Sequence, residues 1–480
     1  MRRASLLVAA PVLLAGCSMA PPLEVPLTPV TETYKYGARW SEAVPADHMP
    51  RGAWWRGFAD PTLDELIARA DLDNPGLAAA VARLERAQAE ARLASADTVP
   101  HLGSSARLSR ERLSSGRPVG PGHAVTSEQY VLGGALSYEL DLWGRVQNEA
   151  RAGEASASAE AANLASVHLS LRAAVADAYF ELRGLDAQMR LLKHTVEAFA
   201  AADRLIALRH EGGIASGVDR SRSQSLLANV RAGAHAIAAQ RAAVENRIAA
   251  LVGVTPAELS IEPRADLAEL PAVAPSLPST LLERRPDIAR AQRSLIAANA
   301  RIGAAKAALY PRFDLALAGG FQASGAPLVS APTNYWALGP LSAVFSLFDG
   351  GRRQAQVDIS EAEYRTLAAG YRETVLNAFR EVEDALAAAS SLKAQEAERR
   401  TAARAAARGS ELALDRYRDG ATDYLEVVTA QTAALDAEQA YIDVQVSRRR
   451  AVVRLVRALG GDFDAGGQVA DRAPDRAGDG

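Results

Sequence analysis

Hydrophobic and polar positions along this chain follow two rhythms in alternation. Long Ala-rich stretches with charges spread along them suit helices. Two shorter regions, 101–141 and 312–348, carry the period-two alternation of strands. In Gln129–Asp141 one face is Tyr130, Leu132, Gly134, Leu136, Tyr138 and Leu140, opposite Gln129, Val131, Gly133, Ala135, Ser137 and Glu139. In Arg312–Gln322 the apolar face is Phe313, Leu315, Leu317, Gly319 and Phe321. The stretch Tyr335–Leu347 sets Tyr335, Ala337, Leu341, Ala343, Phe345 and Leu347 on one side, and Pro340 interrupts it where proline removes a ladder donor. His101–Leu113 is polar on both faces. Aromatics bracket each apolar face, eight or ten residues apart. With strand tilt that covers roughly 20–25 Å, the height of the apolar band of a transmembrane barrel. A soluble sandwich with one buried face would show the same alternation.

The rhythm occurs twice. Asn74-Pro75 to Pro100 and Arg285-Pro286 to Pro311 have equal spacing. Further on, a constant offset of 207 residues aligns Arg145 with Arg352, Asp177 with Asp384, Gly213 with Gly420, Gln224 with Gln431 and Gly253 with Gly460. Each copy reads as helix, two strands, very long helix, tight turn and helix. The first runs about 75–98, 101–141, 144–210, the Gly212-Gly213 turn and 217–252. The second runs about 286–309, 312–348, 350–418, the Gly420 turn and 422–459. A helix of about 67 residues is on the order of 100 Å long, beyond a globular domain. The shorter helices of each copy together match that length, so they suit end-to-end stacking along it in a long coiled hairpin. The expected organisation is a signal peptide at 1–16, an extended anchored segment at 17–60 and a first repeat at 61–253. A Pro-rich connector at 254–278, a second repeat at 279–460 and a flexible tail at 461–480 complete it.

The amino terminus adds a destination. Arg2 and Arg3 precede an apolar run, Leu6 to Leu14, that is too short to span a bilayer and suits an export signal. The only cysteine, Cys17, closes Leu14-Ala15-Gly16-Cys17, which resembles a bacterial lipobox. A lone buried thiol is the alternative, but its place directly after the apolar run favours a covalent lipid on Cys17. Ser18 follows rather than the Asp of inner-membrane retention, so the outer membrane is expected. The formal net charge of −3 and the lack of a basic stretch interleaved with aromatics argue against nucleic acid.

Four strands cannot close a barrel, and an open sheet edge cannot sit in hydrocarbon, where no water satisfies its backbone. Several copies must therefore share one barrel. Two would make eight strands around a filled interior, and three would make twelve around a lumen.

At this point the chain resembles the TolC/OprM-type outer-membrane factors, in particular the lipoprotein branch serving efflux pumps. The residues that carry the resemblance are Trp54-Trp55-Arg56-Gly57-Phe58-Ala59-Asp60-Pro61, Glu139-Leu140-Asp141-Leu142-Trp143-Gly144-Arg145 and Leu281-Leu282-Glu283-Arg284-Arg285-Pro286-Asp287-Ile288. Leu347-Phe348-Asp349-Gly350-Gly351-Arg352 and Asp423-Tyr424-Leu425-Glu426-Val427 complete the match. The resemblance implies a mixed α and β membrane protein, a homotrimer with a shared twelve-stranded barrel continued by a helical barrel. It also implies a periplasmic adaptor and an inner-membrane, proton-driven transporter as partners, with outer-membrane lipid around the strands. In that family the turns between long and short helices form the periplasmic entrance, here Gly212–Gly217 and Asp419–Asp423. Tyr417 matches a tyrosine that ties hairpins together, Leu425 an apolar constriction residue, and Glu426 the first of two acidic ring positions, the second being Thr429. Thr422 stands where some members carry a linking arginine.

Glu426 has a second reading. Asp423-Tyr424-Leu425-Glu426 has the form of a helix capping box, as does Ser216-Gly217-Val218-Asp219 with Asp219, which joins the candidate gate. Arg220 and Arg222 are solvated helix charges or pair across the turn with Asp415 or Asp419. No histidine pair has metal-binding spacing, and no phosphate loop or nucleophile elbow appears, so neither an enzyme nor a non-lipid cofactor is expected. The competing functions are a lipid-anchored trimeric coiled-coil scaffold or adhesin, which leaves the strand pairs unexplained, and a type I secretion duct.

Overall fold

A computed structural model describes residues 18–26, 52–116, 123–270, 285–324 and 334–461. The signal peptide, Cys17, most of the anchored segment, part of the connector and nearly all of the tail lie outside the described residues. The helices are α1 (Pro61–Asp73), α2 (Pro75–Ala96), α3 (Arg145–Glu211), α4 (Gly217–Leu251), α5 (Pro286–Ala307), α6 (Arg352–Arg418) and α7 (Tyr424–Ala458). The strands are β1 (His101–Leu113), β2 (Val125–Glu139), β3 (Arg312–Ala323) and β4 (Asn334–Val344). Both long helices, α3 and α6, have 67 residues, and both helices that follow them have 35. Among the described residues no helix is long and apolar enough to cross a membrane.

One compact unit holds the described parts of 1–27, 83–161 and 290–372. Its four strands form one antiparallel sheet in the order β1-β2-β3-β4, leaving β1 and β4 as edges. Register gathers one face across all four strands. Leu102 stands opposite Leu136, Leu136 opposite Leu317, and Leu317 opposite Leu338. Leu132 likewise pairs with Phe321. Most of this face is open to the surroundings: Leu102, Leu132, Leu317, Phe321 and Leu338 are exposed, as is Trp336 at 78%, while Leu136 is half-buried.

The β4 face differs from the alternation read in the sequence. The ladder shifts between Leu315 and Leu317, so Gly339 and Pro340 bulge opposite Ala316. The bulge accommodates the missing proline donor and reverses the alternation. Trp336 and Leu338, not Tyr335 and Ala337, therefore join Leu341 and Ala343 on the apolar face. Tyr335 instead lies on the polar face, its hydroxyl 2.5 Å from where a Cβ on Gly133 would stand. The polar stretch His101–Leu113 is a full strand, paired with β2 along its whole length.

The motifs flanking the sheet build its joints. Arg145 forks onto Glu139 at 2.9 and 2.7 Å, while Asp141 accepts the Gln147 N–H at 2.8 Å and so caps α3. Trp143 stacks on Tyr310 with ring centres 4.8 Å apart and donates to the Pro311 carbonyl at 2.9 Å. The segment just after Cys17 is pinned along its length. Ser18 donates to Asn148 (3.0 Å), Asn299 to the Pro21 carbonyl (3.0 Å) and Tyr364 to the Glu24 carbonyl (2.6 Å).

The second unit holds the described parts of 28–82, 162–289 and 373–480. Its largest core gathers Phe58, Leu63, Ile67, Tyr179, Phe180, Leu182 and Ile248. Asp60 caps α1 by accepting the Thr62 N–H at 3.0 Å, with Pro61 at the first helical position. Its other oxygen accepts the Tyr179 hydroxyl at 2.6 Å. Burial, reinforced by the Asp60 carboxylate, pushes the Tyr179 hydroxyl up to about 12, so it stays a donor. Asn74 ends α1 and caps α2 by accepting the Leu77 N–H. Arg285 is buried and joins Asp287, Glu381 and the Ala458 carbonyl.

Candidate functional site at the two helical turns

Two turns of the second unit, α3–α4 and α6–α7, hold the candidate gate. Each long helix stops at a glycine with positive φ, Gly213 at 73° and Gly420 at 74°. The Ile214 N–H then reaches the Arg209 carbonyl at 2.8 Å, and the Ala421 N–H the Arg416 carbonyl at 2.8 Å. With the Gly213 and Gly420 N–H groups on the His210 and Tyr417 carbonyls, both are six-to-one terminations that only glycine adopts without strain.

The caps of the next helices, Ser216 and Asp423, stand three residues later, and here the two turns part. Ser216 accepts the Asp219 N–H at 3.1 Å while Asp219 accepts the Ser216 N–H at 3.2 Å, a complete capping box. Asp423 accepts the Glu426 N–H at 3.0 Å, but Glu426 does not return the bond to the Asp423 backbone. Its carboxylate goes instead to Arg416 at 2.9 Å and to the Thr422 hydroxyl. Only half of the capping box read at 423–426 therefore forms. A guanidinium is a stronger donor to carboxylate than a neutral amide, and the extra methylene of Glu lets it reach. Both partners are about half exposed, so the pair is worth well under about 1 kcal/mol.

Leu425 and Glu426 face outward while their neighbours face in. Leu425 is 46% exposed, against 3% for Tyr424 and none for Val427. Tyr424 and Val427 pack with Ile206 and Tyr417 in one small core. The Arg209 guanidinium sits 4.7 Å over the Tyr417 ring and donates to the Tyr417 and Arg418 carbonyls at 3.2 and 3.0 Å. It thus caps the end of α6 from the end of α3. Arg209 of one helical hairpin thus contacts Tyr417 of the other in the same chain, a partner that sequence reading missed. The signal was present, since Arg209 and Arg416 stand at the 207-residue offset.

Arg220 pairs with Asp203, which also accepts the Ser223 hydroxyl at 2.6 Å, and Arg222 lies 3.9 Å from Asp219. Neither meets Asp415 or Asp419; Asp415 takes Arg418 at 3.3 Å. Burial raises the Tyr424 hydroxyl above its ordinary value, partly offset by a hydrogen bond with Ser223. Thr429 bonds back to the Leu425 carbonyl at 2.9 Å, as a helical threonine does. Among the described residues no cluster of three or more His, Cys, Asp or Glu is placed to hold a metal. The arrangement packs the ends of the two hairpins of the chain against each other.

A family model for outer membrane efflux protein matches residues 66–254 and 277–461. Outer membrane protein OprJ of Pseudomonas aeruginosa is 34% identical over 462 residues, covering 94% of each chain. A probable efflux pump outer membrane protein, TtgC of Pseudomonas putida, is 32% identical over 466 residues, covering 96% of each. The solved outer-membrane channel OprN superposes with a TM-score of 0.84 at 30% identity, over 93% of this chain and 99% of that one.

Proposed function

This chain belongs to the outer membrane efflux protein family, and on that premise we propose that it is the exit duct of a tripartite efflux system. Being an outer-membrane efflux channel, it conducts small molecules passively and performs no catalytic step of its own. Three copies pool their sheets into a twelve-stranded barrel, and their helices line a passage through the periplasm. The two repeats of the sequence supply two strand pairs and two helical hairpins per copy. Cys17 carries the lipid, a periplasmic adaptor engages the turns, and an inner-membrane, proton-driven transporter delivers the cargo.

The observation that carries this reading is the sheet. It has an apolar face in continuous register across four strands and two unpaired edges. Such a surface is stable in hydrocarbon only when its edges are closed by other copies. At the turns, Leu425 supplies an apolar barrier that excludes water and ions by dewetting. Tyr417 holds the hairpins closed, the Asp219 box fixes the neighbouring turn, and Glu426 sets the charge beside the barrier. Native mass spectrometry of the detergent-extracted protein should show a trimer, and planar bilayers should show discrete channels. A stable monomer in mild detergent would overturn the shared barrel, and a trimer that never conducts would favour the coiled-coil scaffold.

A further inference from the structure

Beside the core of the helical unit, residues 259–268 of the connector are strapped down through their backbone. Arg241 donates to the Ile261 carbonyl at 2.6 Å, Arg183 to that of Glu262 at 2.8 Å and Arg449 to that of Ala268 at 2.8 Å. The Ile261 N–H donates to Glu245 at 2.7 Å and the Arg264 N–H to buried Asp186 at 3.1 Å. Between this strap, α3 and α4 runs an open groove of about 910 Å³.

Its walls carry an excess of cations. Arg190 and Lys193 come from α3, Arg231 from α4, and Arg264 from the strap. Of the lining carboxylates, Asp186 is already held by Arg183 and Arg241. Asp266 lies 3.7 Å from Arg190, and Glu197 lies 3.8 Å from His194. Lys193, Arg231 and Arg264 have no carboxylate partner among the described residues. Scattered surface charges would point apart; these converge on one groove whose wall is fixed by a buried ion-pair network.

We propose that this groove binds the carboxylate-bearing peptides of the cell wall. The inference rests on the reading that places the helical unit in the periplasm, where the peptidoglycan mesh is a fixed, carboxylate-bearing polymer. The groove is open along its length, which admits a strand rather than enclosing a small ion. Its cations are solvated, so each contact is weak and the attraction is salt-sensitive. Three grooves per trimer meeting a repeating polymer give the avidity that single contacts lack.

The test is co-sedimentation of the detergent-solubilised trimer with isolated peptidoglycan sacculi at low salt. Wild type should pellet, should be released by high salt, and should bind far less to sacculi whose carboxylates have been amidated. Combining Lys193→Gln, Arg231→Gln and Arg264→Gln should weaken retention by about tenfold or more. Arg86→Gln, at an exposed position on α2, should leave it unchanged. Single-channel conductance of each variant checks the duct separately, so a conducting trimer that ignores sacculi sinks this inference alone. Equal binding by the triple variant would overturn it. So would capture by soluble polyglutamate with no binding to sacculi, which would assign the groove to an acidic protein segment.

Discussion

Asp186→Asn should release the connector while leaving the long helices formed. The Asp186 side chain is 1% exposed, and that of its partner Arg183 is 3% exposed. One carboxylate oxygen faces Arg183 at 2.9 Å and the Arg264 N–H, the other faces Arg241 at 2.6 Å. Removing one member of a buried pair costs about 3–5 kcal/mol because the remaining charge is left uncompensated. The lower end applies here. Arg183 keeps the Tyr179 hydroxyl and the Glu262 carbonyl, and Arg241 keeps Glu245 at 2.9 Å. A local cost of about 3 kcal/mol corresponds to opening roughly a hundredfold more often. Hydrogen exchange read by mass spectrometry on peptides covering 259–268 should accelerate by about that factor. Arg190→Ala provides the contrast, since its 3.4 Å contact to the Ala265 carbonyl is solvent-exposed and should matter little. If connector protection in Asp186→Asn matches wild type, the buried network does not hold the strap and the reasoning fails.

Leu425→Ala should raise resting conductance in planar bilayers, because a smaller side chain weakens dewetting at the barrier. Arg416→Gln should increase cation preference by freeing the Glu426 carboxylate, and Glu426→Gln should reduce it; unchanged reversal potentials in both would leave Glu426 with only its contacts at the turn. Acid should weaken the joint at α1. Burial raises the Asp71 pKa, but hydrogen bonds from His168 and Arg172 outweigh it and hold the carboxyl below its ordinary value. A depressed carboxylate stabilises fully above its unfolded pKa, and that contribution is lost as pH falls through the folded value. The melting temperature should therefore drop below about pH 4, and Asp71→Asn should flatten that drop. Cys17→Ser should abolish metabolic labelling with palmitate while the strands still insert; a protein fully soluble without detergent would remove their lipid-facing role.

Helix ends were the most legible part of the chain, for a local reason. Gly213, Gly420, Gly253 and Gly460 all adopt positive φ just past a helix, and Pro75 and Pro286 open helices at their first position. Such signals need only a few neighbouring residues. Alternation failed where the ladder itself was irregular, since the Gly339-Pro340 bulge moves Trp336 onto the face that Tyr335 was expected to occupy. β1 was barely legible because Ser104, Arg110 and Arg112 interrupt the face that carries Leu102 and Leu108. At the turns, Ser216–Asp219 and Asp423–Glu426 have the same capping pattern, yet only the first closes its box. What separates them is Arg416, ten residues upstream of Glu426 and on another helix. Arg209 shows the same limit, because its stacking on Tyr417 spans 208 residues of chain.

The two unpaired edges of the sheet also have a genetic consequence. In the proposed trimer no copy encloses any pore by itself, so a damaged strand spoils the barrel of its intact neighbours. When sound and damaged chains are made in equal amounts and mix at random, roughly one trimer in eight is free of damage. Substitutions that break β1 or β4 yet leave the chain able to assemble should therefore behave as dominant, whereas those that prevent folding altogether should be recessive.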